Sequence, residues 1–274
     1  MTRTVGIALG GGGAKGLAHI SMLEVFDDLG VTPTMISGTS IGAVIGSFYA
    51  SGASAAEIRA MLDEFTVEPR SLFDFFDRDR PPHLYDLVDF DLLSGSSLLA
   101  VDKILAELEA RLSVSTFEGL AIPLRVVAAD FWGRTEVVLD AGPILPALAA
   151  SFALPGVFEP VERDGLILID GGSVNPVPYD LLSAHCDVTV AIDVMGKRSP
   201  PSDLAPSFSE VIFNSIQIAS KTILREKMAA EPPTIYIDVG IRDVRVLEFN
   251  RADEIDAQAQ PFKQQLRERL ESLL

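Results

Sequence analysis

The chain has 274 residues, 48% of them apolar, and carries Lys+Arg 22 against Asp+Glu 39 for a formal net charge of −17. That is ample for one large α/β core and too short to require two independent domains, while the acidic balance opposes partnership with nucleic acid and broad adhesion to an anionic membrane surface. Cys186 is the one cysteine, which excludes an internal disulfide, and no Cys/His spacing resembles a zinc site, so no metal or cofactor is expected.

Met1-Thr2-Arg3-Thr4 leads straight into an apolar run with no signal-peptide pattern, and no run approaches the length of a membrane span; a cytoplasmic protein is expected. Val5 to Leu9 reads as a short buried strand followed by the glycine turn Gly10 to Gly16. The spacing of Leu17, Ile20, Leu23 and Phe26 then predicts a helix. Pro33 to Ser37 is a second strand entering a second turn, Gly38-Thr39-Ser40-Ile41-Gly42, and Ala43, Val44, Ile45, Phe48 and Tyr49 continue as a helix ending near Gly52. Both turns are expected to open on the same edge of one parallel sheet.

Ser54-Ala55-Ala56-Glu57 has capping-box spacing and begins a helix through Ile58, Met61, Leu62 and Phe65. From about 68 to 97 no period of 2 or 3.6 survives, which predicts an irregular, aromatic-rich cap inserted into a single domain spanning 1–274. A helix follows over Val101 to Leu112, then strands over Leu124 to Ala129 and Glu136 to Leu139, and a helix over Ile144 to Phe152 before Pro155-Gly156. Leu166 to Ile169 is a strand running into Asp170-Gly171-Gly172, and Val188 to Val194 is another buried strand. A long amphipathic helix at about 207 to 229, a strand over Ile235 to Val239 and a final helix over Ala252 to Leu274 with a break at Pro261 complete the chain.

Ser40 lies in a G-x-S-x-G pattern between strand and helix, the setting a nucleophile elbow requires: flanking glycines permit a sharp turn, and the helix N-terminus favours developing negative charge. The same pentapeptide equally fits a glycine-rich turn with a capping serine. In the first turn, consecutive glycines let backbone N–H groups converge on one anion. As a string, Gly11-x-Gly13-x-x-Gly16 also matches a dinucleotide fingerprint, but that reading needs an acid about 20 residues on, where this chain has Ser37-Gly38-Thr39-Ser40. A P-loop is excluded because Lys15 precedes Gly16 rather than Ser or Thr.

A serine nucleophile needs a base. His19 lies within the first helix, His83 within the cap, and His185 just before a buried strand, so each reads as structural. Asp170 is the better candidate, since it ends a strand at the edge expected for Ser40, although Asp-Gly-Gly by itself reads as a tight turn.

Together these residues resemble the patatin-like phospholipase family. Gly11-Gly12-Gly13-Ala14-Lys15-Gly16 is similar to its G-G-G-x-R/K-G loop and Gly38 to Gly42 to its elbow. Ala150-Ser151-Phe152-Ala153-Leu154-Pro155 resembles its A-S-x-A-x-P block, and Asp170-Gly171-Gly172 its D-G-G/A motif. The resemblance implies a three-layer α/β/α fold with a mainly parallel central sheet and a serine lipid acyl hydrolase with a Ser40–Asp170 dyad. It implies an oxyanion hole from the backbone of Gly11, Gly12 and Gly13, with Lys15, Gly16, Gly38, Gly42, Gly171 and Gly172 supporting the motifs. The implied partner is a lipid or ester substrate, which a chain this acidic is expected to reach by transient peripheral membrane contact through local apolar groups or as a dispersed monomer. Phe73, Phe75, Phe76, Leu84, Tyr85 and Phe90 in the cap are candidates for the acyl-binding surface, or for a small satellite core. A regulatory lipid-binding protein without activity is the alternative; a Rossmann-type enzyme is disfavoured by the missing ribose acid.

Overall fold

The computed structural model describes residues 3–67, 96–197, 199 and 208–274. Its centre is a sheet of strands β1 (Val5–Leu9), β2 (Met35–Thr39), β3 (Leu124–Asp130), β4 (Thr135–Leu139), β5 (Val161–Arg163), β6 (Leu166–Asp170), β7 (Val188–Asp193) and β8 (Ile235–Asp238). The order is β5-β6-β3-β2-β1-β7-β8, with β4 also paired to β3. β3, β2, β1, β7 and β8 run parallel, as the uninterrupted apolar runs of β1 and β7 predict for strands buried on both faces.

The helices are α1 (Ala18–Leu29), α2 (Ile41–Ala50), α3 (Ala55–Val67), α4 (Ser96–Arg111), α5 (Ile144–Phe152), α6 (Phe208–Ala230) and α7 (Ala252–Glu271). Period-two alternation sorts the strand side chains between two layers. Val5, Ile7, Leu9, Val190 and Ile192 enter the large core beneath α1, α2, α5 and α7, while Ala8 and Ala191 face the smaller cluster of Val177, Tyr179, Leu182, Met195 and Leu224. Small residues on that second face let α6 pack close to the sheet. The result is the three-layer α/β/α arrangement expected from the sequence.

Four details depart from expectation. β6 is antiparallel to β3, and the short strand β5 pairs with it. α4 begins at Ser96 and so takes the last residues of the anticipated insertion, the remainder of which lies outside the described residues. β3 continues to Asp130. α7 runs unbroken through Pro261. Proline deprives the Ala257 carbonyl of its helical donor, but Ala257 and Pro261 are both exposed, so water can serve that carbonyl. Packing on both sides of the proline holds the helix: Ile255 and Ala259 before it and Leu266 and Leu270 after it are buried, and Lys263 reaches Glu24 at 2.7 Å.

Candidate active site

The site is fixed by how three strands meet. β3 pairs with β2 up to Thr39 opposite Val127, and with β6 from Asp170 opposite Ala128. Since β4 occupies the other side of β3 over Val126 to Asp130, β2 and β6 share one side and meet end to end. Ser40, the residue after Thr39, and Asp170, the last of β6, are therefore brought face to face. Sequence reasoning places Asp170 at the correct edge, but the antiparallel approach that aims it at Ser40 is a tertiary fact.

Ser40 has φ 55° and ψ −126°, a backbone state that non-glycine residues rarely adopt. The turn is held from several directions. A Cβ on Gly42 would strike the Leu9 carbonyl, so only glycine lets α2 begin this close to β1. The Ser40 N–H donates to Ser151 Oγ at 2.9 Å, and the Ser151 hydroxyl donates to the Val127 carbonyl at 2.6 Å. Thr39 Oγ1 donates to the Asn175 carbonyl at 2.8 Å.

Asp170 is buried and its Oδ1 accepts the Gly172 N–H at 2.7 Å. Burial pushes its pKa up to about 6, against the opposing effect of its interactions with the Ser40 side chain and the Gly172 amide. Its own N–H donates to the Ala153 carbonyl at 3.0 Å. The segment Ser151 to Ala153 thus holds both residues, Ser40 through a side chain and Asp170 through the backbone. Ser151 was legible only as part of a family block, since nothing in its local sequence reveals a bond to a residue 111 positions earlier.

The first glycine turn lies against Ser40, because a Cβ on Gly11 would meet Ser40 Cβ at 3.4 Å. One member of the expected trio is corrected: the Gly11 N–H donates to the Pro176 carbonyl at 2.9 Å and is not available to a ligand. Among the described residues no protein acceptor takes the Gly12 or Gly13 N–H. Gly13 has φ +59°, and a Cβ there would collide with the Val246 carbonyl. Lys15 is buried with its Cδ near Gly196, while Gly16 packs on Ile41, joining the two turns.

His19 and His185 lie away from Ser40 Oγ, in supporting positions. His19 is buried and its Nε2–H donates to the Gly10 carbonyl at 2.8 Å, so it braces the glycine loop; desolvation lowers its pKa to about 4 and keeps it neutral. His185 lies at the amino-terminal edge of the sheet, 3.0 Å from the Arg125 guanidinium. His83 and the six cap candidates Phe73, Phe75, Phe76, Leu84, Tyr85 and Phe90 lie outside the described residues.

Ser40, Asp170, Gly12 and Gly13 line one cavity of about 190 Å³. Its walls are apolar: Ile41, Val44 and Phe48 from one face of α2, Ile104 and Leu108 from α4, Phe152 and Phe158, and on the opposite side Met195, Phe213 and Ile216. The α2 wall follows the i, i+3, i+7 spacing that marks one helix face. The sequence pattern places Val44 and Phe48 on a helix and Ile41 in the elbow, with no sign that they line a cavity, and points to the cap for the acyl surface. Among the described residues no cluster of three or more His, Cys, Asp or Glu is placed to hold a metal ion, and no helix is long and apolar enough to cross a membrane.

The chain is similar to several known proteins. An uncharacterized NTE family protein of Mycobacterium tuberculosis is 32% identical over 228 residues, covering 82% of this chain and 59% of that protein. Human patatin-like phospholipase domain-containing protein 6 is 29% identical over 196 residues, covering 70% of this chain and 13% of that protein. The chain therefore spans about three fifths of the mycobacterial relative and a small part of the human one. The solved structure of VipD from Legionella pneumophila aligns with a TM-score of 0.49 at 16% identity, covering 96% of this chain and 67% of that one. The family model for patatin-like phospholipase matches residues 7–183, from β1 through the Asp170 loop. The chain belongs to the patatin-like phospholipase family.

Proposed function

We propose that the protein hydrolyses lipid acyl esters by two-step acyl transfer from Ser40, with Asp170 as general base and the Gly12 and Gly13 amides as oxyanion donors. Ser40 Oγ attacks the ester carbonyl carbon while its proton passes to Asp170. The carbonyl oxygen becomes an oxyanion facing the glycine amides. Collapse breaks the ester C–O bond, and the proton held by Asp170 goes to the leaving alkoxide. Water then attacks the acyl-Ser40 carbonyl carbon, again losing its proton to Asp170; collapse breaks the acyl C–Oγ bond, Asp170 returns the proton to Ser40 Oγ, and the fatty acid leaves.

The observation that carries this reading is the strained Ser40 facing a buried carboxyl whose pKa is raised to about 6. An aspartate at its ordinary pKa is a weak base, and raising it toward neutrality moves it nearer the value general-base catalysis favours. Each well-aimed oxyanion donor contributes about 2.7 to 4 kcal/mol to the transition state, so two amides offset much of the remaining weakness. The apolar walls of the cavity suit an acyl chain, and a fungal relative, lysophospholipase nte1 of Neurospora crassa, is 26% identical over 306 residues.

A fluorophosphonate probe is expected to label wild-type protein at Ser40. Hydrolysis of p-nitrophenyl acyl esters is expected to vanish in Ser40→Ala. Labelling elsewhere, or substantial esterase activity in purified Ser40→Ala, would overturn the assignment.

A further inference from the structure

Large apolar side chains are unevenly exposed on this molecule. Seven are markedly exposed among the described residues: Phe131, Trp132, Val138, Leu166, Val211, Ile218 and Leu274. Three of them, Phe131, Trp132 and Leu166, lie beyond the edge of the sheet that carries Ser40, and two more, Val211 and Ile218, lie on the helix α6 that lines the cavity. β3 passes the level of the dyad, where Ala128 faces Asp170, and ends in a turn that displays Phe131 and Trp132. At roughly 3.3 Å per residue, those rings stand about 10 to 13 Å beyond Asp170. Leu166, four residues before Asp170 on the antiparallel β6, reaches the same height, and the Phe131 N–H donates to the Ile167 carbonyl at 2.8 Å.

The turn is well braced. The Trp132 N–H donates to Asp130 Oδ1 at 3.1 Å and the Arg134 N–H to the Asp130 carbonyl at 2.8 Å. The two rings stack edge to face at 4.8 Å between centroids, yet Trp132 is 76% exposed and Phe131 48%. Nothing in the turn requires aromatic residues, and their exposure sacrifices burial that the fold offers elsewhere. On α6, Phe213 and Ile216 line the cavity while Val211 and Ile218 point to solvent, Ile218 at 68%. Seven residues further along that outer stripe stands the charged and exposed Arg225. The outer face of α6 carries Val211, Ile218 and Ala219 near the cavity, with the exposed Ser215 between them, and turns polar at Thr222 and Arg225.

We infer that the Phe131–Trp132 turn, with Leu166 and the outer Val211–Ile218 stripe of α6, docks the protein on a neutral, zwitterionic lipid surface. An indole has an apolar body and a polar N–H, which suits the boundary between headgroups and acyl chains. Asp130, Glu162 and Asp164 flank the tip together with Arg134 and Arg163, leaving a small local excess of acid. Their charge, with the net −17 of the chain, repels anionic headgroups and favours the cationic end of a zwitterionic one. The inference rests on the lipid-ester hydrolase reading for its purpose, since the docked edge is the one on which the cavity lies.

Trp132 is the only tryptophan in the chain, so intrinsic fluorescence reads this position alone. In Ser40→Ala, which removes the chemistry, vesicles of dioleoylphosphatidylcholine are expected to shift the emission to the blue, and phosphatidylcholine with brominated chains to quench it. The double variant Phe131→Ser/Trp132→Ser is expected to lose about tenfold or more in vesicle sedimentation while keeping wild-type thermal unfolding. Unchanged emission with vesicles, undiminished sedimentation of the double variant, or stronger binding to phosphatidylglycerol vesicles would overturn the inference. So would a blue shift on concentrating the protein without lipid, which would assign the surface to a second copy. A Trp132 response in a protein whose wild type hydrolyses no p-nitrophenyl ester would leave docking supported and sink the hydrolase reading instead.

Discussion

The Ser40 and Asp170 halves of the site meet at one point under different penalties. Ser40 closes a parallel strand and opens a helix, and its penalty is conformational, with φ 55° and ψ −126°. Asp170 ends an antiparallel strand with ordinary φ −49° and ψ 127°, and its penalty is desolvation of a buried carboxylate. Strain of the first kind belongs to the backbone and outlives the side chain; the second kind disappears with the charge. The two halves therefore answer differently to mutation, although the mechanism needs both.

Asp170→Asn gives the largest separation. Loss of the proposed base is expected to lower kcat by about 10⁴-fold. The same change removes a carboxyl whose pKa is raised from 3.8 to about 6, which is worth up to about 3 kcal/mol at neutral pH. The variant is expected to be inactive and to melt higher than wild type. Ser40→Ala, which keeps the strained turn, should be equally inactive with little change in melting temperature. Equal melting of both variants would show that desolvation of Asp170 is not a real burden.

The pH dependence follows with its sign. The base must be ionised, so kcat/KM is expected to fall as pH drops through about 6. The stability associated with the raised Asp170 pKa is present below 3.8 and lost as pH rises through about 6. His19 has the opposite sign: with its pKa lowered from 6.5 to about 4, the stability it carries is present above 6.5 and lost as pH falls through about 4. In wild type the two slopes oppose one another between these limits. In Asp170→Asn the His19 slope is left alone, so its unfolding midpoint in urea should fall steadily from pH 6.5 to 4.

Gly13→Ala tests the part of the site that faces both halves. At φ +59°, with the Val246 carbonyl in the path of a Cβ, the loop must shift to accept a methyl group. The proposed oxyanion amides move with it, and kcat is expected to fall about 10² to 10³-fold, as for loss of one donor. Fluorophosphonate labelling slowed to the same degree would confirm that the loop acts on the transition state.

Much of this arrangement was legible in the sequence because its signals are local. Two apolar runs followed by glycine turns specify strands β1 and β2 and the elbow, and the period-two and period-3.6 patterns recover most strands and helices within a few residues. Pairings between distant residues were not legible. The antiparallel course of β6 depends on which strand offers it a free side. The Gly11 amide is removed from the oxyanion trio by a carbonyl 165 residues away at Pro176, and no local pattern in either segment announces that bond. The apolar spacing of Ile41, Val44 and Phe48 was visible, but a helix face packed into core and one lining a cavity have the same periodicity.

Ser151→Ala examines the support of the elbow. It deletes the acceptor for the Ser40 N–H and a donor to the Val127 carbonyl, two bonds at a largely buried site. A stability loss of about 1 to 3 kcal/mol is expected, and a fall of roughly tenfold in kcat with KM nearly unchanged, because Ser151 orients the proposed nucleophile and does not line the cavity. A rise in KM with unaltered kcat would place its effect in substrate binding instead.

The smallest effect should come from Thr39→Val, which keeps β-branched shape and deletes the hydroxyl that donates to the Asn175 carbonyl. That bond ties the end of β2 to the loop following Asp170, the loop whose next residue, Pro176, accepts the Gly11 N–H. If the Ser40 and Asp170 halves are supported separately, the change costs about 1 kcal/mol in stability and only a few-fold in kcat, and its effects add to those of Ser151→Ala. If the two halves form one unit, the double variant will depart from additivity by more than about 0.5 kcal/mol. In that event strain at Ser40 and desolvation at Asp170 are not independent penalties, because the hydrogen bonds that hold the elbow also hold the carboxyl in its buried position.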